Sequence, residues 1–397
     1  MNHLFYLIKE LTGDNWKRLK YTFLPFPIKV KDDYIHLERV MQWLKAAYET
    51  SQGGVSSHYS LLKGKWLNPF PETTGYIIPT FFDYSNPTRD RYYRDAAIQM
   101  TDWLCSVQLD NGACMQGSYD SQKGKNKPLI FNTGQNIFGF LRTYRETKEK
   151  KYLDCAVKAG DFLTVNIDEE GVWNRYLHYN IPHTYNSRTS WALLELHSIT
   201  GDEKYEKVAA ANLDWVIQQQ HENGWFEHAN FKPNEYPNTH GIAYTLRGLL
   251  ESYFITKKQA YLDAVTLTSE SLLKKIETGH PLYTFWDRNW QNHGKYFPFL
   301  KGRYICLTGN IQLSIIWMKL FLKIGDKRFL AAANRLIDEV KARQNLTCKN
   351  PGIRGGIKGA FPIIGSYSFL KYPNWAAKFF ADALMIRIHA SGGSEPF

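Results

Sequence analysis

Six short, related segments recur along this chain, each at the head of an apolar stretch. They read Glu72-Thr73-Thr74-Gly75-Tyr76, Phe131-Asn132-Thr133-Gly134-Gln135, Thr184-Tyr185-Asn186-Ser187-Arg188, Asn238-Thr239-His240-Gly241, Leu307-Thr308-Gly309-Asn310 and Tyr372-Pro373-Asn374-Trp375. With Thr74, Thr133, Asn186, Thr239, Thr308 and Asn374 as anchors, the spacings are 59, 53, 53, 69 and 66 residues. A recurrence of that order means one supersecondary unit stacked several times. Each anchor is a short polar residue of the type that caps a helix N-terminus, so each segment reads as a helix start.

A second kind of helix lies between the anchors. Tyr93, Tyr152 and Tyr205 are each followed by alanine four residues on and by Trp103, Phe162 or Trp215 ten residues on. Spacings of four and ten keep these residues near one helical face, the pattern of an amphipathic helix packed on a neighbour. The anchored helices, such as Ile311-Gln312-Leu313-Ser314-Ile315-Ile316-Trp317, are apolar nearly all round and must be buried on every side. The expected architecture is an inner ring of six buried helices and an outer ring of six amphipathic ones. The outer helices fall at about 34–51, 90–108, 149–165, 202–220, 257–276 and 326–344. The repeat runs without a linker, so residues 34–390 read as one catalytic domain, with 1–33 an N-terminal extension and 391–397 a tail.

Composition narrows the partners. The chain has 49 basic and 38 acidic residues, a net +11, which favours anionic ligands. No Lys/Arg run suggests a nucleic-acid arm. Basic residues are scattered, except around Lys295–Arg303 and Arg354–Lys358. Aromatics reach 15%, with 25 Tyr and 12 Trp, enough for stacking platforms as well as packing. The first ten residues lack a secretory layout, and no apolar run reaches membrane-span length. Five cysteines without CxxC spacing fit a reducing, cytoplasmic setting, and the twelve histidines show no metal-binding spacing. No metal or cofactor is expected.

The stretches Phe131–Gln135, Pro182–Asn186, Cys306–Gln312, Gly359-Ala360-Phe361-Pro362 and Tyr372–Ala376 resemble the all-α (α/α)6 toroid, or six-hairpin, proteins that act on carbohydrates. That superfamily includes unsaturated-glucuronyl hydrolases, N-acylglucosamine 2-epimerases, polysaccharide lyases and the catalytic domain of glucuronyl C5-epimerases. The chain looks most like bacterial proteins linked to exopolysaccharide biosynthesis. The resemblance covers most of the chain and implies a toroid acting on an acidic oligo- or polysaccharide, in association with polysaccharide-assembly machinery. Nothing reads as the additional β-domain of the glucuronyl C5-epimerases.

In such a toroid the inner-helix N-termini open on one end of a central cavity, which gathers the anchors and favours anions. The expected rim is rich in Tyr, His, Asn and Arg. Its substrate-binding candidates are Tyr76, Gln135, Tyr185, Arg188, Tyr236, Asn310 and Trp375, with Trp286 and Trp290 as a sugar platform. Glycoside hydrolysis usually needs two flanking carboxylates, and the rim acids Glu72, Glu227, Glu235 and Asp287 occupy no equivalent positions. Removing a proton α to a uronate carboxyl instead needs a base such as His or Tyr, with Asn or Arg to hold the carboxylate. Asn186, His240, Tyr244 and Arg303 fit those roles, with His183 a second histidine at a helix start. Toroidal polysaccharide lyases, by resemblance, use these residue types in a similar order. The alternatives are hydrolysis by Asp287 with Glu72 or Glu227, and a non-enzymatic glycan-binding scaffold. The glycine-rich stretch 352–359 reads as a flexible lid carrying Arg354 and Lys358 to the cavity. Each residue also has a plainer role: caps for Thr133, Asn186 and Thr308, partners for Glu195 for the arginines, and packing for the tryptophans.

Overall fold

A computed structural model describes residues 30–120, 127–294 and 302–391. Twelve α-helices of 14 to 19 residues alternate along these residues. The odd-numbered ones are α1 (Asp33–Glu49), α3 (Arg91–Val107), α5 (Lys150–Thr164), α7 (Glu203–Gln218), α9 (Gln259–Glu277) and α11 (Lys327–Lys341). The even-numbered ones are α2 (Pro71–Thr88), α4 (Ile130–Thr147), α6 (Ser187–Thr200), α8 (Thr239–Thr256), α10 (Leu307–Ile324) and α12 (Asn374–Ser391). Each even helix packs on the next, and α12 packs back on α2, so six inner helices close a ring inside the odd ones. This is the (α/α)6 toroid. The extension expected over residues 1–33 and the tail over 391–397 fall almost wholly outside the described residues.

Sequence chemistry explains both rings. Asp32, Asp90, Asp202 and Asp326 cap outer helices, each carboxylate accepting the backbone N–H two residues on. Apolar residues on the inner helices sit at or near zero exposure, from Ile77 and Phe81 to Ile315 and Trp317. Among the described residues, three short antiparallel sheets decorate the loops: β1 (His58–Ser60) between β2 (Lys65–Trp66) and β7 (Lys371–Pro373), β3 (Phe285–Trp286) with β4 (Asn292–His293), and β5 (Ile305–Cys306) with β6 (Ala360–Phe361).

The anchors do something other than simple capping. Thr74 and Thr133 are the fourth residues of α2 and α4, not their caps. Each hydroxyl donates to the carbonyl four residues back, Phe70 at 2.9 Å and Leu129 at 2.7 Å. Each also accepts a backbone N–H from the preceding loop, Val55 at 3.0 Å and Cys114 at 2.9 Å. A hydroxyl can donate once and accept twice, so one side chain pins the incoming loop onto the helix. Asn374 does a related job at the ring's seam, where its Nδ2 donates to Ser56 O and Thr73 Oγ1. Asn238 and the Cys306 sulfur are the true caps of α8 and α10.

The glycine beside the anchor sets the spacing of the inner helices. A Cβ on Gly309 would lie 2.7 Å from both the His240 backbone nitrogen and the Thr239 carbonyl carbon. One on Gly75 would lie 2.5 Å from Asn136 Oδ1 and 2.7 Å from its Cα. These are backbone-to-backbone approaches that no side chain can share. Gly309→Ala should therefore push α8 and α10 apart and cost about 1–3 kcal/mol, the usual price of overpacking. Urea melts of the variant check this, and an unchanged midpoint would contradict the packing argument.

Candidate active site

The central cavity holds about 200 Å3 and opens among the heads of five inner helices. Glu72 and Tyr76 reach it from α2, Phe131 and Asn132 from α4, Tyr185 from the turn before α6, His240 and Tyr244 from α8, and Trp375 from α12. Phe70, Leu129, His178, Phe231 and Tyr367 complete the wall. In a closed ring of six, α2 and α8 stand three steps apart in either direction. Glu72 and His240 therefore enter from opposite sides.

A polar layer lies beneath. Tyr76, Gln135 and Arg188 each sit two residues after an anchor, in three successive repeats. The Tyr76 and Tyr244 hydroxyls meet at 3.4 Å across the ring. Arg188, only 2% exposed, donates from Nε to Gln135 Oε1 at 3.0 Å. Its guanidinium lies 5.0–5.9 Å from the ring centres of Tyr244, Trp191, Phe138, Phe379 and Tyr76. No carboxylate pairs with it among the described residues; ring faces surround the charge, and Glu251 acts on it through space without contact. Burial lowers its pKa to about 10, which leaves it charged at neutral pH.

That charge is felt on both walls. Among the described residues, Glu72 is the single acidic one in the cavity lining. Burial raises its carboxyl pKa to about 8, against a smaller opposing pull from Arg188. It is a protonated acid at neutral pH. Burial, and then Arg188, lower His240 to about 3, so its imidazole is neutral. The His240 Nδ1 sits 2.5 Å from Tyr367 Oη, which accepts the Trp375 indole N–H at 2.9 Å, while Nε2 has no partner. With the ring proton on Nδ1, donated to Tyr367, Nε2 keeps its lone pair. The wall thus carries a neutral acid facing a neutral imidazole, above a buried cation.

The remaining sequence candidates fall elsewhere. Asn186 is buried at the head of α6 with no side-chain cap bond and with its Oδ1 unpartnered. His183 stacks on Tyr185 at 4.4 Å, and its two ring nitrogens meet the carbonyls of Asn230 and His178. It braces the wall without lining it. Tyr236 and Arg303 line a lateral groove of about 630 Å3 with Lys232, Glu235 and His293. That groove adjoins the cavity, since Phe231 and Tyr367 line one and their neighbours Lys232 and Ser366 the other.

Asp287 lies outside the cavity lining. Its carboxylate accepts the Asn289 and Gln291 backbone N–H groups and pairs with His293 at 2.8 Å, which holds the β3–β4 turn. Glu227 pairs with Arg288 and His221 on the surface. The expected pairing of Asp287 with Glu72 or Glu227 is therefore not assembled in one cavity. The expected tryptophan platform is packing instead: Trp286 donates to Thr239 and Trp290 to Asn223, and both are nearly buried. Asn310 turns away towards Leu282 and Glu339. The stretch 352–359 is a packed strap rather than a lid. Trp43 donates to Gly352 O and Gln344 to Gly355 O, which fastens it to α1, with Arg354 exposed outside and Lys358 buried near Phe361. Part of the basic cluster 295–303 lies outside the described residues.

Tyr367 belongs to none of the repeated segments, and the sequence offers Glu72 only as a partner for Asp287. Glu72 sits two residues before its anchor, where the next repeat has Phe131. Both line the cavity, so this repeat position faces it. Among the described residues, no group of three or more His, Cys, Asp or Glu side chains is placed to hold a metal ion.

The Glu72 proton has a measurable consequence. Its pKa is near 4.5 unfolded and about 8 folded, so folding binds a proton between those values. The unfolded chain binds fewer protons there, and stability falls as pH rises through that window. Glu72→Gln should remove this fall and gain on the parent chain at pH 9. Urea melts across pH check it, and parallel curves for the two proteins would contradict the buried-acid assignment.

Comparison with solved structures gives the same toroid. An unsaturated glucuronyl hydrolase specific for heparin aligns at a TM-score of 0.69 and 14% identity, over 91% of this chain and 98% of that one. Cellobiose 2-epimerase from Bacillus thermoamylovorans aligns at 0.68 and 13%, over 89% and 97%. A family 76 glycoside hydrolase from a bovine Bacteroides thetaiotaomicron strain aligns at 0.61 and 14%, over 91% and 78%. No match was found among curated protein sequences. The sequence profile of the β-L-arabinofuranosidase GH127 catalytic domain matches residues 72–282, more than half of the 397. The chain belongs to that family, and is a carbohydrate-active enzyme of the six-hairpin glycosidase superfamily.

Proposed function

We propose that this enzyme moves a proton at C5 of a uronate residue in an acidic oligo- or polysaccharide, giving epimerisation, during synthesis of that polysaccharide. The observation that carries the reading is Arg188, a buried guanidinium that, among the described residues, has no acidic contact and lies beneath a cavity whose one carboxyl group is protonated. Such a site holds a net positive charge at neutral pH, and a uronate carboxylate supplies the missing anion. The glucuronyl hydrolase specific for heparin, an acidic saccharide, shares the toroid.

The opposed walls suit two-sided proton transfer. His240 Nε2 removes H5, and the C–H electron pair moves into the carboxylate as an enediolate. The field of Arg188 stabilises that extra charge, in a site where little water dilutes it. Glu72 then gives its proton to C5 from the other face. The bound carboxylate offsets the effect of Arg188 on His240 and raises the imidazole's basicity towards its task. If C4 carries a leaving group, the same intermediate expels it, and the outcome is β-elimination.

A second reading has one observation in its favour, the β-L-arabinofuranosidase profile. There Glu72 protonates a glycosidic oxygen and the product is a new reducing end. One incubation in deuterated water with uronate-containing polysaccharides separates the readings. Deuterium at C5 supports epimerisation, an unsaturated uronate supports elimination, and reducing ends without deuterium support hydrolysis. His240→Ala should lower exchange at least about a hundredfold, and Glu72→Gln by a similar factor, with the fold intact by circular dichroism. Hydrolysis that survives His240→Ala but dies in Glu72→Gln would overturn the first reading. Glycan binding without turnover in the parent chain would favour a scaffold.

The lateral groove supports a substrate longer than one sugar. Tyr236 is 47% exposed and stacks on His293 at 4.4 Å, which leaves a ring face for a neighbouring saccharide. Tyr236→Ala should raise KM several-fold for an oligosaccharide, about 1 kcal/mol of stacking, and leave a single-residue glycoside unaffected. Affinity for the longer substrate should fall with added salt, through Lys232 and Arg303. Equal losses for both substrates would remove the groove from recognition.

A further inference from the structure

The outer helices are tied to one another by a repeated bond. Tyr152 Oη of α5 donates to Asp102 Oδ1 of α3 at 2.9 Å. Tyr205 of α7 does the same to Asp161 of α5 at 2.8 Å, and Tyr261 of α9 to Asp214 of α7 at 3.2 Å. One turn beyond each tie, three residues on in both helices, the facing positions differ. They are Thr164 and Val208 in the second case and Ile217 and Ala264 in the third. In the first they are Cys105 and Cys155. The repeat therefore shows that this position needs no thiols for its packing.

The two cysteines are also held in register from the far side. Gln108 Nε2, three residues after Cys105, donates to the Cys155 carbonyl at 2.9 Å. The tie before and the bond after leave the thiols facing, near enough for each to perturb the other's ionisation. Both are half-buried, whereas Cys114, Cys306 and Cys348 are buried. The Cys105 contact, followed by Lys158 and Lys151, draws the Cys155 thiol below its ordinary pKa, which favours the reactive thiolate.

We propose that Cys105 and Cys155 form an oxidative modification site, closing reversibly to a disulfide between α3 and α5 when a peroxide is the oxidant. The Cys155 thiolate attacks one peroxide oxygen, the O–O bond breaks, and a sulfenic acid and hydroxide result. The Cys105 thiol then attacks that sulfur, the S–S bond forms, and the sulfenic oxygen leaves as water. Two thiols give up two electrons, and hydrogen peroxide becomes two waters. The closed loop contains α4, which carries Phe131, Asn132 and Gln135 to the site, so the cross-link also restrains one cavity wall.

The test uses the full reduced chain, treated with hydrogen peroxide and then alkylated. The expected result is loss of two free thiols and a mass lower by two hydrogens. A non-reducing peptide map should join Cys105 to Cys155, dithiothreitol should reverse the bond, and the oxidised form should melt at a higher temperature. Cys155→Ser and Cys105→Ser should each abolish the cross-link. The mapping on the parent chain needs neither variant to fold. Full alkylation of both residues after peroxide, oxidation of Cys155 to a sulfinic acid without linkage, or a bond between other cysteines would overturn the proposal.

Discussion

The contact on which the molecule depends is the backbone approach between the heads of neighbouring inner helices. Gly309 against Thr239 and His240, and Gly75 against Asn136, let helices touch where a side chain would hold them apart. Packed helices usually sit about 8–10 Å apart. In a six-membered ring the distance from each axis to the centre equals that spacing. Helix bodies about 5 Å in radius then leave a narrow bore, which large side chains can close. Tyr76, Tyr244 and Arg188 close it one turn down, and the cavity lies above them. The size of the site is thus a consequence of helix spacing.

Electrostatics follows from the same geometry. A charge at the axis of a ring is nearly equidistant from all walls, so Arg188 acts on Glu72 and His240 although they enter from opposite sides. Burial favours the neutral form of each group, and the two walls end with complementary roles: one holds a proton and the other can take one. Neither property belongs to the residue alone. Glu203, exposed on an outer helix, shows the contrast: the Lys207 ammonium beside it holds its carboxyl below the ordinary value.

Much of the architecture was legible because it repeats. Six anchors and two helix types predict the double ring, and the outer-helix limits agree with the structure within a few residues. The residues two after the anchors were legible for the same reason, and Tyr76, Gln135 and Arg188 do form one layer. What the sequence hid was tertiary. The raised pKa of Glu72 comes from enclosure by other helices. Tyr367 comes from a loop outside the repeat. The strap at 352–359 looked mobile because glycine is permissive, yet Trp43, about three hundred residues away, fixes its backbone. Thr74 and Thr133 looked like caps because short hydroxyl residues often are; their partners lie in preceding loops that carry no motif.

The seam between the first and last repeats has a topological consequence. β1 pairs with β7, Asn374 bonds to Ser56 and Thr73, and Asp33 of α1 pairs with Arg387 of α12. In an open solenoid each unit contacts only its neighbours, and order can spread from any unit to the ends. A closed ring adds one contact between units far apart in sequence, and its loop entropy is met in a single step. That step joins the repeats into one cooperative body with no terminal unit to fray. It also makes the starting repeat arbitrary: a circular permutant opened in a surface turn and joined across the seam would keep every inter-helix contact of the ring.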